Sequence, residues 1–112
     1  MNIQFQLPEK VSTNKIYAGQ HWTKRKKLAD LYHNSLLPFR KLRAKDYPVN
    51  INYIFTFKSK PLDTTNCTYM AKLLEDGLVK NEIIVDDDPE HVSFTGIYSQ
   101  KGEEDLVEII IA

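Results

Sequence analysis

Residues 49–58 read VNINYIFTFK, and residues 60–92 read KPLDTTNCTYMAKLLEDGLVKNEIIVDDDPEHV. In the first stretch Ile51, Tyr53, Phe55 and Phe57 recur at every second position, the pattern of a strand with one buried face. A turn-rich loop, SKPLDTT, follows, and the spacing then changes to that of a helix over residues 66–79. Met70, Leu73, Leu74 and Leu78 form its apolar stripe, and Gly77 falls near its end. Thr64 or Thr65 is a natural N-cap, because a hydroxyl there would satisfy a free amide of the first turn. A strand handing over to a helix through a short loop points to a domain that mixes the two.

Working outward, residues 91–99 (HVSFTGIYS) and 105–111 (DLVEIII) read as strands, joined as a hairpin by QKGEE. Toward the N-terminus, residues 2–7 (NIQFQL) place Ile3, Phe5 and Leu7 on one side of a strand that ends at Pro8. Residues 8–20 read as a loop, and a helix follows over residues 21–41. Trp22, Leu28, Leu31, Tyr32, Ser35 and Leu36 share its core-facing stripe, and Pro38 kinks or ends it. The fold class is therefore α/β (α+β): a small mixed sheet in the order β-α-β-α-β-β with two helices packed on it. Residues 1–112 make one domain, with no internal repeat and no low-complexity linker.

A hydrophobic fraction of 42% with six Tyr, five Phe and one Trp is ample for a core. No apolar run approaches the ~20 residues of a membrane span, and the N-terminus lacks a signal pattern. The one cysteine, Cys67, has no partner for an internal disulfide, so the expected location is the cytoplasm. The net charge of zero hides a segregation of sign. Residues 10–45 hold ten Lys or Arg and one acid, Asp30, whereas residues 59–112 hold twelve Asp or Glu and four Lys. Such a division suits a polyanion bound by one half and a cation by the other.

The acidic half carries the candidate chemistry. Asp63 lies where a strand passes to a helix; Lys72 and Asp76, four residues apart, share a helical face with Tyr69 and Glu75 flanking. Asp86, Asp87 and Asp88 are consecutive. Three adjacent carboxylates repel one another, and hard oxygen ligands favour Mg²⁺ or Mn²⁺. A metal held by Asp63 and one or two of the later Asp residues would activate water and neutralise a phosphate, with Lys72 orienting the water or assisting the phosphate. Each piece also has an ordinary structural explanation: Lys72 and Asp76 as a surface ion pair, Asp63 and Asp88 as turn residues. The loop lacks the ligand pattern of an EF-hand, and His21, His33, His91 and Cys67 lack zinc spacing. Cys67 has no evident base and reads as a small, partly buried side chain.

Lys24, Arg25, Lys26 and Lys27 crowd the start of a helix, where the dipole disfavours cations and a phosphate would relieve the conflict. They would grip phosphates in a salt-dependent manner. Tyr17, His21 and Trp22 could stack on or hydrogen-bond to a ligand held there, although Trp22 belongs with the core stripe. The final strand, EDLVEIIIA, is the candidate apolar edge for an interface between copies.

The segment with Asp63, Asn66, Lys72, Asp76, Gly77 and the Asp87-Asp88 pair resembles the signature of the RusA-type Holliday-junction resolvases. In that family an acidic motif, a Lys and an Asp four apart on the next helix, and an Asp pair precede a strand. The stretch VSTNKIYAGQHWTKRKK, with Asn14 and Lys15, is similar to the family's opening, so the resemblance spans most of the chain. It implies a RusA-like, homodimeric, Mg²⁺-dependent endonuclease that cuts four-way junctions and other branched DNA, without a small-molecule cofactor or a membrane. By position Asp63, Asp87 and Asp88 take the ligand roles and Lys72 that of the assisting lysine. The chain departs from the family at Thr65, where a second Asp is usual, and in the six-residue step from Asn66 to Lys72. Asn66, Asp76 or Asp86 would then compensate, and Asp76 could instead hold Lys72 in place. The alternative from another class is a non-catalytic phage or prophage DNA-binding accessory protein.

Overall fold

A computed structural model describes residues 1–19 and 21–112, and the side chain of Tyr17 lies outside that description. Four strands and three helices follow the chain as β1 (Asn2–Gln6), α1 (Thr13–Tyr17), α2 (Trp22–Ser35), β2 (Val49–Phe57), α3 (Thr68–Lys80), β3 (Val92–Lys101) and β4 (Leu106–Ile111). The result is a small mixed α/β domain in which two long helices pack on a sheet. Short 3₁₀ turns at Leu37–Phe39 and Thr64–Cys67 border α2 and α3. The helix read across residues 21–41 ends at Ser35 instead, because Pro38 enters the following 3₁₀ turn.

The strands are ordered β1-β4-β2-β3. β2 and β3 run parallel, with Tyr53 opposite Ile97, and α3 supplies the crossover that a parallel pair requires. β4 is antiparallel to both of its neighbours, β1 and β2. This overturns the expected hairpin: β3 and β4 are not partners, since β2 lies between β3 and β4. The connection crosses the end of β2, where Gly102 N donates to Phe57 O at 3.0 Å and Lys58 N donates to Asp105 Oδ1 at 2.8 Å. A Cβ at Gly102 would come within 2.3 Å of Thr56 Cγ2, so the crossing passes directly over that strand. The same order moves the last strand from the expected edge to the interior of the sheet, with Val107, Ile109 and Ile111 buried.

The alternation read in residues 49–58 has its physical cause in this layering. Val49, Ile51, Tyr53, Phe55 and Phe57 are all buried, and they share a face with Ile109 of β4 and Ile3 of β1. Against that face pack Leu28, Tyr32 and Leu36 from the α2 segment and Met70, Leu74 and Leu78 from α3. Trp22, placed with the stripe by its spacing, is 63% exposed and lies against the His21 ring instead. It stands at the first residue of α2, a full turn and more before Leu28 begins the buried row. Among the described residues, no helix lies on the opposite face of the sheet, which bears Asn52, Ile54, Phe94 and Tyr98. Among the described residues no helix is long and apolar enough to cross a membrane.

Candidate functional site

α3 carries Lys72 on the face turned away from its buried row of Met70, Leu74 and Leu78. Its ammonium lies 3.0 Å from Asp76 Oδ1, one turn along the helix, and 3.3 Å from Asp87 Oδ2 in the loop before β3. The hydrogen bond with Asp76 raises the Lys72 ammonium above its usual range against the opposing effect of burial, and the contact with Asp87 adds to the rise. The i, i+4 spacing made the first partner legible. The second depends on the residues after α3 folding back: Asn81 closes the helix, its N–H donating to Gly77 O at 3.0 Å, and Glu82 takes a left-handed turn at φ 61°.

Glu75, one residue from Asp76, forms the inner wall of this cluster. It is half-buried, and its Oε1 accepts from Tyr53 Oη at 3.2 Å and Thr95 Oγ1 at 3.4 Å. Burial raises the Glu75 carboxyl above its ordinary range, and the bond from Tyr53 opposes that shift. The sequence marks Glu75 only as a neighbour of Lys72. The signal that sharpens it is tertiary: it faces the single hydroxyl among the buried β2 side chains.

The other acidic candidates take separate neighbours. Asp86 Oδ1 accepts from the N–H of Asp87 at 2.7 Å. Asp88 Oδ1 accepts from the backbone N–H groups of Glu90 and His91 at 3.1 and 3.2 Å and lies 2.7 Å from His91 Nδ1. The His91 contact holds the Asp88 carboxyl below the usual carboxylate range, and the His91 ring packs edge-on against Tyr47 with centroids 5.0 Å apart. Asp88 thus closes the turn that starts β3. Asp63 is exposed at the start of the 3₁₀ turn, its carbonyl accepting from Asn66 N at 2.8 Å, and it borders a shallow recess with Lys10, Lys60 and Asn66. The structure therefore brings Lys72, Asp76 and Asp87 together, while Asp63, Asp86 and Asp88 make their contacts within their own turns. Among the described residues no group of three or more His, Cys, Asp or Glu side chains is arranged to hold a metal ion. What the donor chemistry does offer is one cationic point between two carboxylates of different elements. Mg²⁺ commonly binds through one or two carboxylates, keeping several waters, so the pair is a compatible donor set.

Asn66 has a structural partner: its Oδ1 accepts from the N–H of Asn14 at 3.1 Å. Residues 13–17, read as loop, form the short helix α1, docked on the start of α3. Thr13 Oγ1 accepts from Tyr69 N at 2.9 Å and lies 2.9 Å from Thr68 Oγ1. The N-cap expected from Thr64 or Thr65 is thus corrected, because neither α3 nor the turn before it has a side-chain cap from its own cap residue. Thr13, distant in sequence, fills the role. Cys67 is buried at this junction, and burial pushes its thiol up, in keeping with an unreactive side chain.

On the basic side, His21 caps α2, its Nδ1 accepting from Thr23 N at 3.2 Å. Lys24 pairs with Glu9 at 3.3 Å and Lys26 with Asp30 at 3.5 Å, while Arg25 and Lys27 are exposed on the same two turns. Lys15 and Lys24 border a second recess with Lys10 and Glu9. Lys10 connects the two regions, its ammonium donating to Ser59 Oγ at 3.0 Å and Lys60 O at 2.6 Å. Of the residues expected to contact DNA, Tyr17 has its side chain outside the described residues. In comparison with known proteins, no family model and no curated protein matches the chain.

Proposed function

We propose that the protein is a divalent-metal-dependent endodeoxyribonuclease of RusA-like fold, acting in the cytoplasm on Holliday junctions and other branched DNA in recombination and repair. The observation that carries this reading is the meeting of Lys72, Asp76 and Asp87, which joins the crossover helix to the acidic loop at one charged, solvent-accessible point. Asp87 and Asp76 are the proposed ligands for Mg²⁺ or Mn²⁺, with Asp63 and Asp88 as flanking carboxylates whose share substitution will separate. A bound divalent ion supplies an activated water and neutralises charge on the scissile phosphate. Lys72 holds the two carboxylates toward one point and offers its ammonium to the phosphate. Glu75 fixes this part of α3 against the sheet through Tyr53 and Thr95. Arg25, Lys27, Lys15 and Asn14 hold the DNA backbone, which supplies affinity without sequence preference. Two copies would place two such centres for paired nicks across a two-fold junction.

The test is a synthetic four-way junction incubated with the protein and Mg²⁺ or Mn²⁺. Paired nicks that disappear on chelation are expected. A protein that binds the junction but never nicks it at any concentration of either ion sinks the reading. One observation favours the second reading, a non-catalytic DNA-binding accessory protein: Asp88 is engaged by its own turn and by His91. Binding without nicking is its signature.

A further inference from the structure

The Lys72 ammonium stands where carboxylates from two elements converge, 3.0 Å from Asp76 Oδ1 on α3 and 3.3 Å from Asp87 Oδ2 in the loop before β3. The two acids already share a cation, and that cation is a side chain. It brings one positive charge to two negative ones, so the pair keeps an excess of negative charge that a divalent ion would remove. Glu75, the carboxyl on the inner wall, is held by Tyr53 and Thr95 instead. Both acids are set by their surroundings. Asp76 is fixed by the helix, and the loop of Asp87 is tied down by buried Ile83 and Ile84, by Val85 N donating to Tyr47 Oη at 3.0 Å, and by Asp87 N donating to Asp86 Oδ1 at 2.7 Å.

A metal ion and the ammonium cannot both use this pair of oxygens. Mg²⁺ lies about 2.1 Å from its oxygen ligands. An ion at that distance from Asp76 Oδ1 would come within about 5 Å of Lys72 Nζ, which is itself 3.0 Å from the same oxygen. A double and a single positive charge repel there, and they compete for the same lone pairs. The lysine is the partner that can leave. Its side chain is 59% exposed, exposed ion pairs are held weakly, and a flexible four-carbon stem can carry the ammonium aside without moving α3.

We propose that Lys72 is a placeholder for the metal: it holds Asp76 and Asp87 together until a divalent ion binds between them, and its displaced ammonium is then free for a phosphate. The proposal rests on the metal-dependent reading and adds a coupling to it, since the lysine is released only in the loaded protein. Its test uses the full chain and metal alone, without DNA. In an NMR titration with Mg²⁺, the Lys72 Nζ and Asp87 carboxyl resonances will shift with one midpoint. In calorimetry, Lys72→Ala will bind Mn²⁺ about tenfold tighter than the wild type, because the competing charge is gone. Lys72→Arg, which keeps a cation in place, will bind it no tighter than the wild type. Lys26→Ala removes the same charge from the Asp30 pair on α2 and will leave Mn²⁺ binding unchanged. Adding Asp87→Asn to Lys72→Ala will abolish the gain. An Asp87 resonance that moves with Mg²⁺ while Lys72 Nζ stays fixed overturns the exchange but leaves the metal site standing. A Lys72→Ala protein that binds Mn²⁺ through Asp87 no more tightly than the wild type does the same. If neither protein binds either ion through Asp87, the exchange and the metal-dependent reading fall together.

Discussion

Lys72 shows how far a local spacing carries. The i, i+4 relation to Asp76 is set by helix geometry and was readable at once, whereas the contact with Asp87 requires the chain to reverse after α3 and return. Glu75 and Trp22 show the same division. The helical period placed Trp22 inward, but at the first residue of α2 it precedes the buried row and stays exposed. His33 yields a prediction at this scale. Its two ring nitrogens are buried without a hydrogen-bond partner among the described residues. Burial first, then Lys80, lowers its pKa below the ordinary imidazole value, against weaker opposing effects that include Asp76 and Asp30. A proton that the folded chain binds less readily than the unfolded one costs stability wherever only the unfolded chain carries it. The contribution is therefore fully present above about pH 6.5 and is lost as the pH falls through the folded-state value. Urea midpoints measured from pH 7.5 down to 5.0 should fall, and His33→Gln should flatten that part of the profile. A profile identical in wild type and variant would show that His33 does not contribute.

At the scale of elements, β1, α2, β2, α3 and both C-terminal strands were legible from periodicity, because each buries one regular face. α1 was not: five residues are too few to display a 3.6-residue period, and Ser12, Thr13 and Asn14 look equally like turn formers. The hairpin expectation failed for a different reason. β3 and β4 are separated by a short connection, and proximity in sequence suggested pairing, but β3 is the parallel partner of β2 and the chain must cross that strand to reach β4's place. The cap of α3 is hidden in the sequence because the capping hydroxyl is distant, with Thr13 Oγ1 accepting from Tyr69 N. Thr13→Ala should therefore lower stability by about 1 kcal/mol in denaturant unfolding, while Thr65→Ala, at the position where the cap was sought, should change it by no more than about 0.5 kcal/mol. Equal losses in the two variants would contradict the assignment.

For the whole molecule, the segregation of charge along the sequence becomes a division of surface. The basic residues before β2 lie on α1, α2 and their flanking loops, and the acidic residues Glu75, Asp76, Glu82, Asp86, Asp87, Asp88 and Glu90 follow one another through the second half of α3 and the approach to β3. The N–H of Asn14 donates to Asn66 Oδ1, tying α1 to the turn that precedes α3. Junction binding should weaken steeply with salt, and Arg25→Ala and Lys27→Ala should each reduce the slope of log K against log salt by about one while weakening all sequences alike. Binding indifferent to salt would remove the role given to these residues. The link between helix and acidic loop carries the account, and the most direct measurement of it is the single-turnover nicking rate of a four-way junction by Asp87→Asn. The expected result is a loss of about 100-fold with junction binding within about twofold of wild type and the fold unchanged; nicking by Asp87→Asn at the wild-type rate would contradict it.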